Sequence, residues 1–250
     1  MENSLFKFVL ILADDALIIG QRLSEWAYKA PFLEEDIALS NISLDMFGRA
    51  NMLLEYATNM QGQKATPDEL AFKRNEREYY NHLLCEQPNG HFGETILRQF
   101  LFDSFYSLFL EELAKSSDKE LSAIAKKSIK EVTYHFRHSS QWVIRLWAGT
   151  EESHNKMNMA LNKLWQFTEE FFIMDEIDKK MLKKKIGVNR ESLKSKWAKR
   201  VDDILEEATL EKPKDVHMLL GGKRGIHTEH LGHILSDMQY LQRAYPDAKW

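Results

Sequence analysis

The sequence predicts an all-α fold: an antiparallel bundle of long helices, with shorter helices at the C-terminal end, in a single domain over 1–250. Three observations carry this expectation. The prolines are Pro31, Pro67, Pro88, Pro213 and Pro246, so none falls between Pro88 and Pro213. Glycine is equally scarce, and Gly149 is the only one between Gly93 and Gly187. The middle of the chain therefore lacks the punctuation that a turn-rich β protein needs. Leu, Lys, Glu, Ala and Met fill it, and all are good helix formers.

The elements follow in order. A first helix is expected over about 4–28, because Phe8, Ile11, Leu12, Ala16, Ile19 and Leu23 recur at three-and-four spacing. Pro31 opens a second, with Glu34, Glu35 and Asp36 in its first turn, where they suit the positive dipole end. Leu39, Ile42, Met46, Leu53 and Ala57 form one stripe of it, and Ile37 and Leu44 a neighbouring one. A helix apolar on so much of its surface is expected at the centre of a bundle, to about position 60. A third helix is expected over about 67–84. The turn Gln87-Pro88-Asn89-Gly90 then precedes a Phe- and Leu-rich fourth, to about 115. Asp118 caps a fifth that reaches Trp147 and stops at Gly149, and Thr150 caps a sixth to about 175. Short helices over about 176–185 and 189–208, a loop with Gly221, Gly222 and Gly225, and a last helix over about 227–243 complete the chain.

Composition narrows the function. With 34 Lys+Arg against 38 Asp+Glu the net charge is −4, which excludes nucleic-acid binding by global charge. One cysteine, Cys85, excludes an internal disulfide and sulfur-rich metal sites. The longest apolar run near the N-terminus, Phe8 to Ala13, is closed by Asp14 and Asp15 and is too short to span a membrane. It also lacks the basic region and cleavage site of a signal peptide, so a cytoplasmic location with no membrane partner is expected.

A long helical bundle raises the question of a carboxylate-bridged metal pair, which needs Glu-x-x-His on two helices and a carboxylate on two others. Three-residue spacing matters because both side chains then point the same way. Only His154 has a glutamate three positions back, Glu151, and that pair sits in the first turn after Gly149, where it reads as a capping and dipole feature. Polar residues nonetheless fall where a core should be apolar: Asn41, Asp45 and Arg49 on the second helix, Asp103 among phenylalanines on the fourth, and Glu131, His135 and His138 on the fifth. A metal site and a set of compensated ion pairs both fit them; Arg49 near the carboxylates would do electrostatically what a metal does.

Other features point to contacts. His227, His230 and His233 recur at threes without the third ligand pattern of a zinc site, and suit capping or interface hydrogen bonds. The run Lys179, Lys180, Lys183, Lys184 and Lys185, continuing into Arg190 and Lys194, is a solvated face or an anion contact. Trp250, after Tyr245-Pro246, suggests an ordered tail or a contact between subunits. No phosphate loop, nucleophile elbow or dinucleotide glycine pattern is present.

Several stretches together resemble the structural, non-catalytic subunits of the bacterial phenylacetyl-CoA ring epoxidases: DDALIIGQRLSEW (14–26), DIALSNISLDMFGRA (36–50), EQPNGHF (86–92) with Thr95-Ile96 and Arg98-Gln99, KEVTYHFRHSSQWVIRL (130–146), LWQFTEEFF (164–172) and the segment 225–250. The resemblance implies a ferritin-like bundle that pairs with a related catalytic subunit. That partner would hold the di-iron centre and bind the CoA thioester, while a reductase delivers electrons and one oxygen atom enters the ring as an epoxide. It further implies no cofactor in this chain, and a homo-oligomer is a further expectation. Asp45, Arg49, Asp103, Glu131 and His135 are then candidates for positions descended from ligands, now a polar core cluster. Lys183, Lys184, Lys185, His227, His230 and Trp250 are candidates for interface or anion contacts. A catalytic di-iron subunit with a non-standard ligand set and a CoA-binding module without redox chemistry are the alternatives.

Overall fold

The structure, a computed structural model, describes residues 2–62, 65–246 and 248. Ten α-helices occur among them: α1 (Glu2–Ser24), α2 (Leu33–Met60), α3 (Pro67–Phe72), α4 (Leu83–Glu86), α5 (Phe92–Leu113), α6 (Lys119–Trp147), α7 (Glu151–Trp165), α8 (Glu176–Lys183), α9 (Lys194–Glu207) and α10 (Glu229–Ala244). No strand occurs among the described residues, as the sequence predicts. Trp250 lies outside them. The chain divides into two compact units, Met1–Pro88 with Gly221–Trp250, and Asn89–Leu220.

In the first unit α1 and α2 form a hairpin. The short connection 25–32 forces them antiparallel, and the Ser43 hydroxyl donates to the Gly20 carbonyl oxygen across the pair at 2.8 Å. Leu39, Ile42, Met46, Leu53 and Ala57 are buried, as their spacing predicts, but Ile37 and Leu44 turn outward, 53% and 66% exposed. The neighbouring stripe is thus a surface feature, and α2 is not enclosed on all sides.

The expected third helix departs most from its pattern. It is capped by Thr66, which accepts from the Glu69 amide, yet it ends at Phe72. Residues 79–82 run extended, with one 3-10 turn at Glu76–Glu78 before them and α4 after. The reason is tertiary. The Tyr80 amide donates to Asp14 Oδ2 at 2.9 Å and the His82 amide to Asp15 Oδ1 at 2.7 Å, so these donors serve buried carboxylates on α1 instead of a helix ladder.

In the second unit α5 is buried on nearly every side and is flanked by α6, α7 and α9. The Phe105 ring stacks on Phe171 at 4.6 Å and meets Phe172 edge-on at 5.7 Å, and Trp197 Nε1 donates to the Leu101 carbonyl oxygen at 3.2 Å. The sixth helix ends at Trp165, short of 175, because a 3-10 turn at Glu169–Phe172 brings Phe171 and Phe172 into this aromatic core. Caps at Asp118 and Thr150 sit where the sequence places them. Gly90 adopts φ +57°, and a Cβ there would overlap the Glu94 carboxylate. Next to it His91 Nδ1 accepts from the Glu94 amide and caps α5 at 3.1 Å. Burial lowers the His91 pKa, which suits an acceptor nitrogen.

Candidate functional site

A dense buried polar network lies in the first unit. It starts from Asp14 and Asp15, adjacent acids in the middle of an otherwise apolar helix, both 0% exposed. A buried carboxylate is tolerated only when charge and hydrogen bonds compensate it. Asp14 receives both terminal nitrogens of Arg74 as well as the Tyr80 amide. Burial lowers the Arg74 pKa, but the Asp14 charge and hydrogen bonds outweigh it and raise it. Asp15 accepts from the His82 amide and from His82 Nδ1, each at 2.7 Å, and Cys85 Sγ lies 3.6 Å from it.

Glu86, also 0% exposed, is the third acid. Its Oε2 meets His227 Nδ1 at 2.8 Å and Asn81 Nδ2 at 2.9 Å. Its Oε1 accepts the Thr228 amide at 2.6 Å and the Thr228 hydroxyl at 2.8 Å. The other ring nitrogen of His227 faces the Tyr79 carbonyl oxygen at 2.9 Å, so both ring nitrogens meet acceptors and the ring is an imidazolium. Burial pushes the His227 pKa down, but the hydrogen bond and charge of Glu86 outweigh it and raise it. Arg22 donates to the Glu86 backbone oxygen at 3.1 and 2.8 Å. Tyr79, pushed up to about 12 chiefly by burial, and Gln239 Nε2, which donates to the Arg74 carbonyl at 2.8 Å, close the network against α10.

The glycine loop before α10 makes this fit. A Cβ at Gly222 would overlap the Asn81 carbonyl oxygen, and one at Gly225, at φ +74°, the Arg77 carbonyl oxygen. Gly222→Ala is expected to push the loop carrying His227 off Glu86 and cost about 2 kcal/mol, read as a lower melting temperature with the helical signal retained.

The sequence candidates distribute as follows. Asp45 (half-buried) and Arg49 (buried) belong to the first unit; Asp103 and His135 (both buried) and Glu131 (half-buried) belong to the second. Asp103 accepts from Gln99 Nε2 at 2.7 Å and from the Ser139 hydroxyl at 3.1 Å, one helical turn beyond His135. Lys183, Lys184 and Lys185 are exposed. Arg190, from the same basic run, is fully buried, pairs with Asp178 at 3.0 Å and sits over the Phe109 ring. His227 meets an anion, and that anion is Glu86 of its own chain; His230 is half-buried. Glu151 is exposed and His154 packs on Trp147, so that pair forms no ligand set.

Asp14, Asp15, Glu86, Arg74 and His82 are not among the sequence candidates, because Asp14-Asp15 reads as the end of an apolar run. The available signal is an acid pair followed at once by the apolar stretch 16–19, which no solvent-facing helix turn would carry.

Asp14, Asp15 and Glu86 are not arranged as a di-iron donor set. Among the described residues no group of three or more His, Cys, Asp or Glu is arranged to hold a metal, and Asp14, Asp15 and Glu86 pair with Arg74, His82 and His227.

Comparison with known proteins adds the context. Residues 1–250 match the family model described as phenylacetic acid catabolic protein. The 1,2-phenylacetyl-CoA epoxidase of Escherichia coli (strain K12) has a component that is 46% identical over 248 residues, covering 99% of this chain and 100% of that protein. The all-α architecture fits such a relationship.

Proposed function

Since the chain belongs to the phenylacetic acid catabolic protein family, we propose that it is the non-catalytic subunit of a multicomponent oxygenase that epoxidises the ring of phenylacetyl-CoA. One observation carries the reading. Asp14, Asp15 and Glu86, buried carboxylates of the first unit, are each held by a basic side chain of the same unit: Asp14 by Arg74, Glu86 by the His227 imidazolium and Asp15 by the His82 ring. Carboxylates held in this way are compensated by their own chain without a metal ion. The polar interior fixes the course of the chain over 74–88 and of the loop at 221–228 within the first unit.

In this reading the catalytic partner carries the di-iron centre and the CoA thioester site, and a reductase supplies electrons. This chain contributes a scaffold with no metal of its own. No helix among the described residues is long and apolar enough to cross a membrane, which suits a component of an enzyme complex working on a charged thioester.

The test is reconstitution. With a reductant, dioxygen and phenylacetyl-CoA, this chain alone is expected to give no epoxide, and the partner with this chain is expected to give it. Turnover by this chain with the reductase and no partner would sink the proposal.

A further inference from the structure

The stripe that the sequence places inside the bundle, Ile37 and Leu44, faces outward. Among the described residues thirteen large apolar side chains are exposed, and five of them fall within 28–44: Tyr28, Phe32, Leu33, Ile37 and Leu44. Along α2 the exposed positions Leu33, Ile37, Asn41, Leu44, Gly48, Asn51 and Glu55 follow at fours and threes, the spacing of a seam that receives another helix. Leu33 is 71% exposed and Leu44 66%, so among the described residues of the first unit neither is covered. A Cβ on Gly48 would meet nothing within 4 Å, which leaves room for close approach of a second backbone. Leu33 to Asn51 covers about 27 Å of helix.

At its far end the seam borders a cleft of about 240 Å³ at Asn51, lined by Leu17, Phe47, Leu54, Ala71, Phe72 and Met238 among others. That is below the roughly 300–1,000 Å³ of small-molecule pockets and is the scale of a single bulky side chain inserted as an anchor.

Charge selects the occupant. The exposed charged residues of α2 are Glu34 and Glu55, and its one cation, Arg49, is 1% exposed. Two copies of this face, in either direction, would set acid against acid. We propose that the outward face of α2, from Leu33 to Asn51, is the docking site for an amphipathic helix of a different polypeptide, whose apolar stripe is flanked by Lys or Arg and carries one bulky anchor for the cleft. The inference takes from the partner-subunit reading only that such a polypeptide is another subunit of the same oxygenase.

The test uses the full chain and the purified catalytic subunit. Ile37→Asp with Leu44→Asp is expected to weaken binding about 100-fold. The helical signal and melting temperature should stay unchanged, because both positions face solvent. Met159→Asp, equally exposed on α7, should bind within about twofold of the parent. Glu34→Lys with Glu55→Lys is expected to lose about tenfold at low salt and little at high salt. A photo-crosslinker at Leu44 should reach a basic-flanked helix of the catalytic subunit. Parent-like binding by the Ile37/Leu44 variant, or a crosslink to a second copy of this chain, overturns the docking face while the subunit reading stands. A parent chain that does not bind the catalytic subunit overturns both.

Discussion

Arg74→Leu is expected to lower the stability of the folded chain by about 3–5 kcal/mol, the cost of leaving a buried charge uncompensated. Asp14 is fully buried and receives both terminal guanidinium nitrogens. The same side chain donates to the carbonyl oxygens of Leu70 and Glu78, at 2.5 and 2.7 Å, and stacks over Tyr79. It thereby pins the end of α3 and the extended stretch after it. A chain of this size should lose roughly 10 °C of melting temperature. The neighbour Lys73 reaches Glu69 at 3.1 Å on the exposed surface, so Lys73→Leu should cost under about 1 kcal/mol. Asp14→Asn placed on Arg74→Leu should recover part of the loss, since the uncompensated charge is then gone. Equal losses for Arg74→Leu and Lys73→Leu would refute the compensating role.

His227→Gln is expected to cost about 3 kcal/mol near pH 6 and progressively less above it. The raised pKa of His227 means that its folded form holds a proton which the unfolded chain gives up more readily. The stabilisation is therefore complete below the unfolded value of about 6.5. It is lost as pH climbs through the raised folded value, when the ring can no longer donate to both Glu86 and Tyr79. Thermal melts from about pH 6 to 9 should show the parent losing stability toward the alkaline side, with the two curves converging. A constant gap between parent and variant across that range would count against the imidazolium.

Much of this molecule is legible in its sequence. The stripe of α1, the core stripe of α2, and the caps at Asp118 and Thr150 are local signals, and the structure places them as expected. What fails is governed by distant partners. The amides of Tyr80 and His82 are spent on acids 66 and 67 residues away, and nothing within 67–84 announces that a helix must stop there. The outward turn of Ile37 and Leu44 escapes periodicity for another reason, since spacing says which residues share a face but not which face meets protein. Arg190 reads as one more member of a basic run, and only its proximity to Asp178 under the α5 aromatics makes it a core residue. His227 is recognisable as a residue with a contact to make, while its partner, Glu86, is 141 positions distant.

The central claim is that Asp14, Asp15 and Glu86 are held by basic side chains of this chain and that iron belongs to its partner. Metal content, resolved for each polypeptide of the complex co-purified from iron-supplied cells, tests it most directly. Iron is expected near stoichiometry in the catalytic partner and only as traces in this chain. Near-stoichiometric iron in this chain, retained after the partner is removed, would contradict it.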